Sequence, residues 1–487
     1  MGKPTHENNI FWNICSPIKM LNSVGPFYGF CIFSIHNLIK VSMLKKMLCF
    51  FVLLLIVPTT ILAQGYGLPR GQKFEKIRFE LINNLMVIPI QINGAELSFI
   101  LDSGVSKPIL FNLSESDSVP INNVSEVTIR GLGDGEPMKA LSSKGNVFKL
   151  GNVRNFSQDL YVVLDRDINL STSLGIPVHG IIGYDLFRDF VVEVNYASKS
   201  IKLHDTELYD FKQKKNDQTI PLIVEKKKAY VEGTVLMRDT ANIKVKLLVD
   251  TGSSDALWLF REPERGLEVP DKNYEDHLGR GLSGDIFGKR SKIKGVRIGD
   301  FELKDAKVAF PYREFFGGFE NLGDRNGSVG GEVLKRFNMV FDYSRGQVTL
   351  RKNSNFKEPF QYNLAGIELQ HNGLRYIAES IADSNGIVKD DDSSFGNVKI
   401  LIENRTKLSL VPEIVVSSIR AGSPAAEAGL REGDVILAIN GKGVHRYKIQ
   451  EILKMLNEKE GKRVKVLIER YNKDLLFSFV LKKVFDD

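Results

Sequence analysis

Residues 248–254 read Leu-Val-Asp-Thr-Gly-Ser-Ser, and this stretch decides the fold that we predict for the chain. Two apolar residues lead into Asp250, which is followed by a hydroxyl residue and a glycine. This order predicts a buried strand with a carboxylate at its end, where the hydroxyl bonds nearby backbone and the glycine lets the chain reverse. Acid–base activation of water needs two carboxylates in different protonation states. A chain with this chemistry therefore needs a second turn of the same kind.

A second turn is present at residues 99–104, which read Phe-Ile-Leu-Asp-Ser-Gly, with Asp102 in the position of Asp250. The offset between the two aspartates is 250 − 102 = 148. Four further pairs of short segments keep an offset of 147 to 150, namely Arg130–Leu132 with Arg280–Leu282, Leu150–Gly151 with Ile298–Gly299, Ile181–Gly183 with Ser328–Gly330, and Asn195–Tyr196 with Asp342–Tyr343. An ordered repeat of this length indicates two copies of one fold, each about the size of a small domain.

The two turns resemble those of the two-lobed aspartic proteases of the pepsin and retropepsin type. That family has one Asp-[Thr/Ser]-Gly turn in each lobe and a segment of two apolar residues and a glycine under each catalytic loop. Residues 181–183 have the second pattern in full, whereas Ser328 replaces an apolar residue in the other copy. The resemblance covers roughly residues 74–351.

The resemblance implies a mostly β fold, in which two homologous lobes are related by a pseudo-twofold axis. We place lobe 1 at residues 72–207 and lobe 2 at residues 220–354. The polar residues 208–219, which include three lysines, are predicted to link the two lobes.

By the same resemblance, Asp102 and Asp250 are the catalytic residues. Two carboxylates within hydrogen-bond reach cannot easily both ionise, so they share a proton, as is established for aspartic protease dyads in general. The ionised member takes a proton from water and the protonated member donates to the scissile carbonyl, and no metal or other cofactor takes part. The residues that support the two loops are Ser103, Gly104, Thr251 and Gly252. An isolated Asp-Ser-Gly is usually only a turn, so the prediction for Asp102 depends on the repeat.

Glycine-rich segments follow each catalytic turn, at residues 130–135 and 279–288. Their positions in the repeat suit flap hairpins that close over the cleft. The flap candidates are Gly131, Gly133, Gly281 and Gly284. The alternative for the first segment is an ordinary surface turn.

The N-terminal region has the pattern of a secretory signal. Lys45 and Lys46 precede an apolar run that Pro58 ends, and Ala63 comes before Gln64. We predict a signal peptide at residues 43–63 and an over-extended start or leader at residues 1–42, and hence export to the periplasm or the cell exterior. An uncleaved signal, which would tether the protein to the membrane, is the alternative.

Charge and cysteine content restrict the function further. The formal charge is +7, of which +4 lies in residues 1–63, and the remaining +3 does not favour nucleic acid as a partner. All three cysteines lie in the first 49 residues, so a processed chain would have no disulfide, thiol nucleophile or Cys–metal cluster. We expect a monomer.

Residues 358–484 have a different pattern, and residues 421–441 read Ala-Gly-Ser-Pro-Ala-Ala-Glu-Ala-Gly-Leu-Arg-Glu-Gly-Asp-Val-Ile-Leu-Ala-Ile-Asn-Gly. This stretch closely resembles the PDZ domains of exported bacterial proteases. The resemblance implies a module that binds a peptide C-terminus by strand addition, with backbone N–H groups holding the carboxylate. Its carboxylate loop would be Leu364, Ala365, Gly366 and Ile367, followed by a ligand-pairing strand at residues 368–370. A packing domain with a vacant groove is the alternative, and residues 384–397 are predicted to be a flexible insertion.

Other kinds of catalytic site are poorly supported. The seven histidines form no His-Glu-x-x-His arrangement, and no Gly-x-Ser-x-Gly elbow has a plausible triad order. The run Asp390–Asp392 lacks calcium-loop spacing and is predicted to be a solvated loop.

We therefore predict an exported aspartic endopeptidase that acts on peptides or proteins. The alternative is a catalytically inactive scaffold that binds peptides and keeps the protease fold.

Overall fold

The structure is a computed structural model that describes residues 65–485, except 114–117, 166–167, 238–241, 317–322, 384–386, 390–397 and 401–402. The predicted leader, the signal peptide, the Asp390–Asp392 run and most of the predicted insertion lie outside the described residues. In the part of the chain that the structure describes, none of the helices is both long and apolar enough to span a membrane.

Lobe 1 is built almost entirely of strands. Its elements are β1 (Phe74–Arg78), β2 (Glu80–Ile82), β3 (Leu85–Ile92), β4 (Ala95–Leu101), β5 (Ile109–Leu110), β6 (Ser125–Ile129), β7 (Met138–Leu150), β8 (Val153–Val163), α1 (Leu170–Leu174), β9 (Gly180–Ile182), α2 (Tyr184–Asp189), β10 (Phe190–Asn195) and β11 (Ser200–Asp205). Eight of these strands form one sheet in the order β2-β3-β4-β9-β5-β8-β7-β6. Strand β4 is buried at Phe99, Ile100 and Leu101, as the apolar run before Asp102 predicts.

Lobe 2 repeats the plan. Its elements are β12 (Gln218–Pro221), β13 (Ile223–Glu225), β14 (Lys228–Leu236), β15 (Ile243–Val249), β16 (Leu257–Leu259), β17 (Asn273–Gly281), β18 (Gly284–Lys292), β19 (Gly295–Ile298), β20 (Phe301–Lys304), β21 (Lys307–Pro311), β22 (Gly327–Val329), α3 (Gly331–Leu334), β23 (Phe337–Asp342) and β24 (Gln347–Lys352). The main sheet has the order β17-β18-β21-β16-β22-β15-β14-β19-β20, and β13 pairs with β14. In both lobes the strand before the catalytic turn pairs in parallel with the strand of the apolar-apolar-Gly segment, β4 with β9 and β15 with β22.

A third sheet joins the lobes. Its order is β1-β11-β10-β23-β24-β12, and β10 of lobe 1 pairs directly with β23 of lobe 2. Strand β12 begins at Gln218, so the last two residues of the predicted linker belong to this sheet. Asp217, next to β12, forms an ion pair with Arg351 at the end of β24. One apolar core includes buried residues from both lobes.

The C-terminal region has its own apolar core. Its elements are β25 (Ile367–Asp383), β26 (Ile387–Lys389), β27 (Val398–Ile400), β28 (Glu403–Ile419), α4 (Pro424–Ala428), β29 (Val435–Ile439), β30 (Lys442–Gly443), α5 (Ile449–Leu456), β31 (Arg463–Arg470) and β32 (Lys473–Val480). The sheet order is β25-β28-β29-β31-β32. The apolar face predicted for α5 is buried at Ile449, Ile452 and Leu456. Strands β25 and β28 continue well beyond this core as a two-stranded ribbon, which the sequence reading did not predict.

Candidate active site

The two predicted catalytic aspartates stand at equivalent positions of the two lobes. Asp102 follows β4, and its N–H donates to the carbonyl of Ile182 at 2.8 Å. Asp250 follows β15, and its N–H donates to the carbonyl of Val329 at 2.9 Å. Because these bonds come from equivalent strands, each catalytic turn is held in the same way by the buried segment beneath it.

The two hydroxyl residues that follow the aspartates bond across the lobe boundary. Ser103 Oγ donates to the carbonyl of Val249 at 2.6 Å, and Thr251 Oγ1 donates to the carbonyl of Leu101 at 2.8 Å. The backbone N–H of Ser103 donates to Thr251 Oγ1 at 2.9 Å, and the N–H of Thr251 donates to Ser103 Oγ at 3.1 Å. Ser103 and Thr251 are buried, so these four bonds are shielded from water. They fix the two catalytic turns to each other.

The glycines of the two turns leave room for the carboxylates. The Gly104 N–H donates to Asp102 Oδ1 at 2.7 Å, and the Gly252 N–H donates to Asp250 Oδ1 at 3.1 Å. A Cβ built on Gly252 would lie 2.2 Å from Cγ of Asp102, and one on Gly104 would lie 3.1 Å from Asp102 Oδ1 and 3.5 Å from Asp250 Oδ1. Both carboxylates therefore pack against the same pair of glycines, and neither glycine can carry a side chain without moving them.

The electrostatics of the pair suit acid–base chemistry. Burial and the neighbouring Asp250 carboxylate raise the pKa of Asp102 to about 7. Burial also raises the pKa of Asp250, against the opposing charge of Arg325. One proton is therefore retained by the pair well above the ordinary range of a carboxyl group. The two carboxylates titrate as a unit.

Two cations that the sequence reading missed act on the pair electrostatically. Lys228 is at the start of β14, and its charge opposes the rise in the pKa of both aspartates. Arg325 is nine-tenths buried, and its Nε donates to the carbonyl of Gly327 at 2.8 Å. Burial lowers the pKa of both cations. Lys228 is the last of three consecutive lysines, and such a run in the sequence does not indicate a position near the two aspartates.

The predicted flap segments meet at their tips. The N–H of Gly131 donates to Ser283 Oγ at 2.8 Å, and the N–H of Ser283 donates to the carbonyl of Leu132 at 3.0 Å. The side chains also cross over, because Leu132 packs against an aromatic cluster of lobe 2 and Leu282 packs against an apolar cluster of lobe 1.

All four candidate flap glycines lie at this contact. A Cβ on Gly133 would lie 2.5 Å from the Ser283 carbonyl carbon, and one on Gly281 would lie 2.1 Å from the Leu132 carbonyl oxygen. A Cβ on Gly131 would lie 2.5 Å from Cβ of Leu282, and one on Gly284 would lie 2.3 Å from Asp134 Oδ1. The tips therefore approach too closely for larger residues.

A buried ion cluster connects the lobe 2 flap to its catalytic turn. Asp255, five residues after Asp250, accepts from Arg290 Nη1 of the flap strand β18 at 2.7 Å and from Trp258 Nε1 at 2.7 Å. Lys307 lies 3.5 Å from Asp255 and 2.5 Å from Glu332. Burial alone would raise the pKa of Asp255, but the charges of Arg290 and Lys307 outweigh it and lower the pKa to about 2.

The predicted carboxylate loop lies beside the N-terminal end of β25, as expected for a loop that leads into a ligand-pairing strand. Its four N–H groups are bonded to two asparagine side chains. The N–H groups of Leu364 and Ala365 donate to Asn457 Oδ1 at 2.6 and 3.4 Å. Those of Gly366 and Ile367 donate to Asn363 Oδ1 at 2.8 and 3.3 Å. Neither asparagine was predicted from the sequence: Asn457 lies 93 positions after Leu364, and Asn363 is an ordinary polar residue directly before the loop.

Among the described residues, no group of three or more His, Cys, Asp or Glu side chains is placed to hold a metal ion. The pair of aspartates and its loops, which are bonded across the lobe boundary, form the candidate site.

Family models match two parts of this chain. The family model described as aspartyl protease matches residues 88–186, which include Asp102 and the segment 181–183. The family model described as PDZ domain matches residues 415–470. The crystal structure of an aspartic proteinase from Irpex lacteus matches 58% of this chain and 99% of its own, at 13% identity and a TM-score of 0.37. The chain thus combines two lobes of repeated topology, the first of which matches the aspartyl protease model, with a C-terminal PDZ domain.

Proposed function

We propose that the protein is an aspartic endopeptidase that hydrolyses peptide bonds with water activated between Asp102 and Asp250. The observation that carries the proposal is the paired geometry of the two turns, with carboxylates packed on the same glycines and hydroxyls bonded across the lobes. The ionised carboxylate takes a proton from water, and the protonated one donates to the carbonyl oxygen of the substrate.

The alternative of an inactive scaffold predicts that one aspartate is displaced from the shared site. Both carboxylates lie at the glycine pair instead, and the pKa of each is raised. This arrangement favours the enzyme, because perturbed carboxyl pairs are typical of acid–base sites.

We also propose that the enzyme is exported, on the basis of the signal pattern at residues 43–63, and that its PDZ domain binds peptide C-termini. Export predicts a mature N-terminus at Gln64, which mass spectrometry of the secreted or periplasmic protein would identify. A retained N-terminus would favour a membrane-tethered enzyme.

The test of the enzymatic proposal is cleavage of a mixed peptide library by residues 64–487 across acid to neutral pH. The variants are Asp102→Asn and Asp250→Asn, with the exposed Asp300→Asn as a control of equal charge change. We expect cleavage by the wild type and the control and none by either site variant. Cleavage that survives in one site variant would contradict the two-carboxylate mechanism, and no wild-type cleavage at any pH would favour the scaffold.

A further inference from the structure

The PDZ groove has two walls in this fold. One wall is the N-terminal part of β25, residues 367–371, which pairs with β28 along one edge and leaves its other edge toward helix α5. The other wall is α5 itself, and Leu369 of β25 and Ile452 and Leu456 of α5 are buried in the same apolar core. PDZ domains bind a peptide as an added strand between such walls.

A segment of lobe 1 lies between these walls. Helix α1 ends at Gly175, and a Cβ built on that glycine would lie 3.4 Å from Cβ of Ile449 on α5 and 3.5 Å from Cε1 of His371 on β25. Gln450 Nε2 donates to the carbonyl of Leu174 at 2.7 Å. The segment therefore contacts both walls at the end of the groove away from the carboxylate loop.

The burial of Ile449 agrees with this arrangement. Ile449 is fully buried, yet it is not part of the apolar core that the described residues of the PDZ domain form among themselves. Gly175 lies against it, and the φ of 69° at this glycine is in the left-handed region that favours glycine. A glycine here lets the chain pass close to the helix.

The donors at the opposite end of the groove are also occupied. Asn363 and Asn457 accept from all four N–H groups of the carboxylate loop, as described above. A carboxylate is a stronger acceptor than a neutral amide oxygen, so the terminal carboxylate of a peptide could replace the two asparagines. Both ends of the groove are therefore satisfied from within the chain.

The same part of the PDZ domain contacts one element of each lobe that leads to the active site. The lobe 1 segment continues through His179, whose N–H donates to the carbonyl of Ser98, into β9, which bonds Asp102. On the other side, Glu368 of β25 bonds His277 of the lobe 2 flap at 3.0 Å, and Arg420 lies 4.8 Å from the ring centroid of Tyr274. A peptide entering the groove must displace the lobe 1 segment that leads into β9, beneath the catalytic turn of Asp102. The same peptide would lie beside β25, which is bonded to the lobe 2 flap.

We propose that the lobe 1 segment 170–178 is an intramolecular occupant of the PDZ groove, and that peptides with a free, apolar C-terminus compete with it and so regulate cleavage. A peptide binds only those molecules in which the groove is open, so the measured affinity equals the intrinsic affinity multiplied by the open fraction. The regulatory part rests on the proposed protease function, whereas the competition itself does not.

A reversible lock tests the competition. Residues 65–487 contain no cysteine, so Gly175→Cys combined with Ile449→Cys creates a single possible disulfide. The 3.4 Å separation between the two Cβ positions is close to the range of about 3.5–4.5 Å in disulfides. Each single Cys variant is the matched control. The probe is a fluorescein-labelled pentapeptide library that ends in Leu, Ile, Val or Phe with a free carboxylate, and its amidated counterpart.

We expect the oxidised double variant to bind the free-carboxylate library at least tenfold more weakly than the same protein after reduction, with little change in the single variants. Gln450→Ala loosens the occupant and should bind about 2- to 12-fold more tightly than the wild type, the fold-change expected for one hydrogen bond. The amidated library should bind weakly throughout. Equal binding before and after oxidation would overturn the proposal, and so would the absence of binding to every variant.

Cleavage gives a separate readout. Adding the free-carboxylate library should change kcat/KM for a blocked peptide substrate in the wild type and in the reduced double variant, but not in the oxidised one. Redox-dependent binding without cleavage by any variant would contradict the proposed protease function and still support the occupied groove. Cleavage that is insensitive to the library and to oxidation, in a protein whose binding is redox-dependent, would overturn the regulatory part.

Discussion

Replacing Asp102 with Asn should make the stability of the protein less sensitive to rising pH. The pKa of Asp102 in the folded protein is about 7, compared with an ordinary value of 3.8, so the folded state holds the proton more tightly than the unfolded state. The contribution of Asp102 to stability is therefore fully present below pH 4 and is lost as the pH rises through 7. The difference of 7 − 3.8 = 3.2 pK units corresponds to an upper value of about 4 kcal/mol. The asparagine variant has no such proton to lose at this position.

The assay is urea unfolding of the protein from Gln64 onward, at pH 4 and pH 7.5. Trp258 is the only tryptophan after residue 12 and is buried in lobe 2, so its fluorescence reports on the unfolding of the catalytic region. We expect the free energy of unfolding of the wild type to fall between the two pH values by up to about 4 kcal/mol more than that of Asp102→Asn. The exposed Asp300→Asn should follow the wild type. Parallel changes in the wild type and Asp102→Asn would refute the assignment of a shared proton to this pair.

Three further substitutions test the loops and the ion cluster. Gly252→Ala places a methyl group where the Asp102 carboxylate lies, so kcat for peptide cleavage should fall by about 100-fold. The circular dichroism spectrum should be unchanged. The control Gly67→Ala, which has open space around it, should retain activity. Ser103→Ala removes a buried hydroxyl that bonds the other lobe, and the free energy of urea unfolding should fall by about 1–3 kcal/mol. Arg290→Met leaves a buried carboxylate without its nearest cation and should cost about 3–5 kcal/mol in the same assay, whereas Arg297→Met, in a more exposed ion pair, should change stability little. Full stability of Arg290→Met would contradict the ion cluster.

The parts of the fold that could be predicted depend on short-range patterns. The apolar runs before Asp102 and Asp250 are buried strands, and the spacing of Ile449, Ile452 and Leu456 is a buried helical face. These patterns are local because strand and helix periodicity follows from backbone geometry.

The parts that could not be predicted depend on contacts between distant residues. Arg325 acts on Asp250 from 75 positions away in the chain, and Asn457 caps a loop 93 positions before it. Gln450 bonds a carbonyl 276 positions earlier. Residue type and spacing carry no signal for such pairs, because each partner is an ordinary polar residue in its own segment. The catalytic role of Asp102 in lobe 1 was predicted only because the repeat offset of 148 relates its turn to that of Asp250 in lobe 2.

The sheet shared by the lobes has a consequence for biosynthesis. Strand β10 ends at Asn195, and its partner β23 begins at Phe337, 337 − 195 = 142 positions later. At a synthesis rate of about 5–20 residues per second, the edge of β10 waits about 7–28 s for its partner. An unpaired strand edge is a template for pairing with other chains. The nascent first half therefore exposes this edge of β10 to mispairing until the second half has been made.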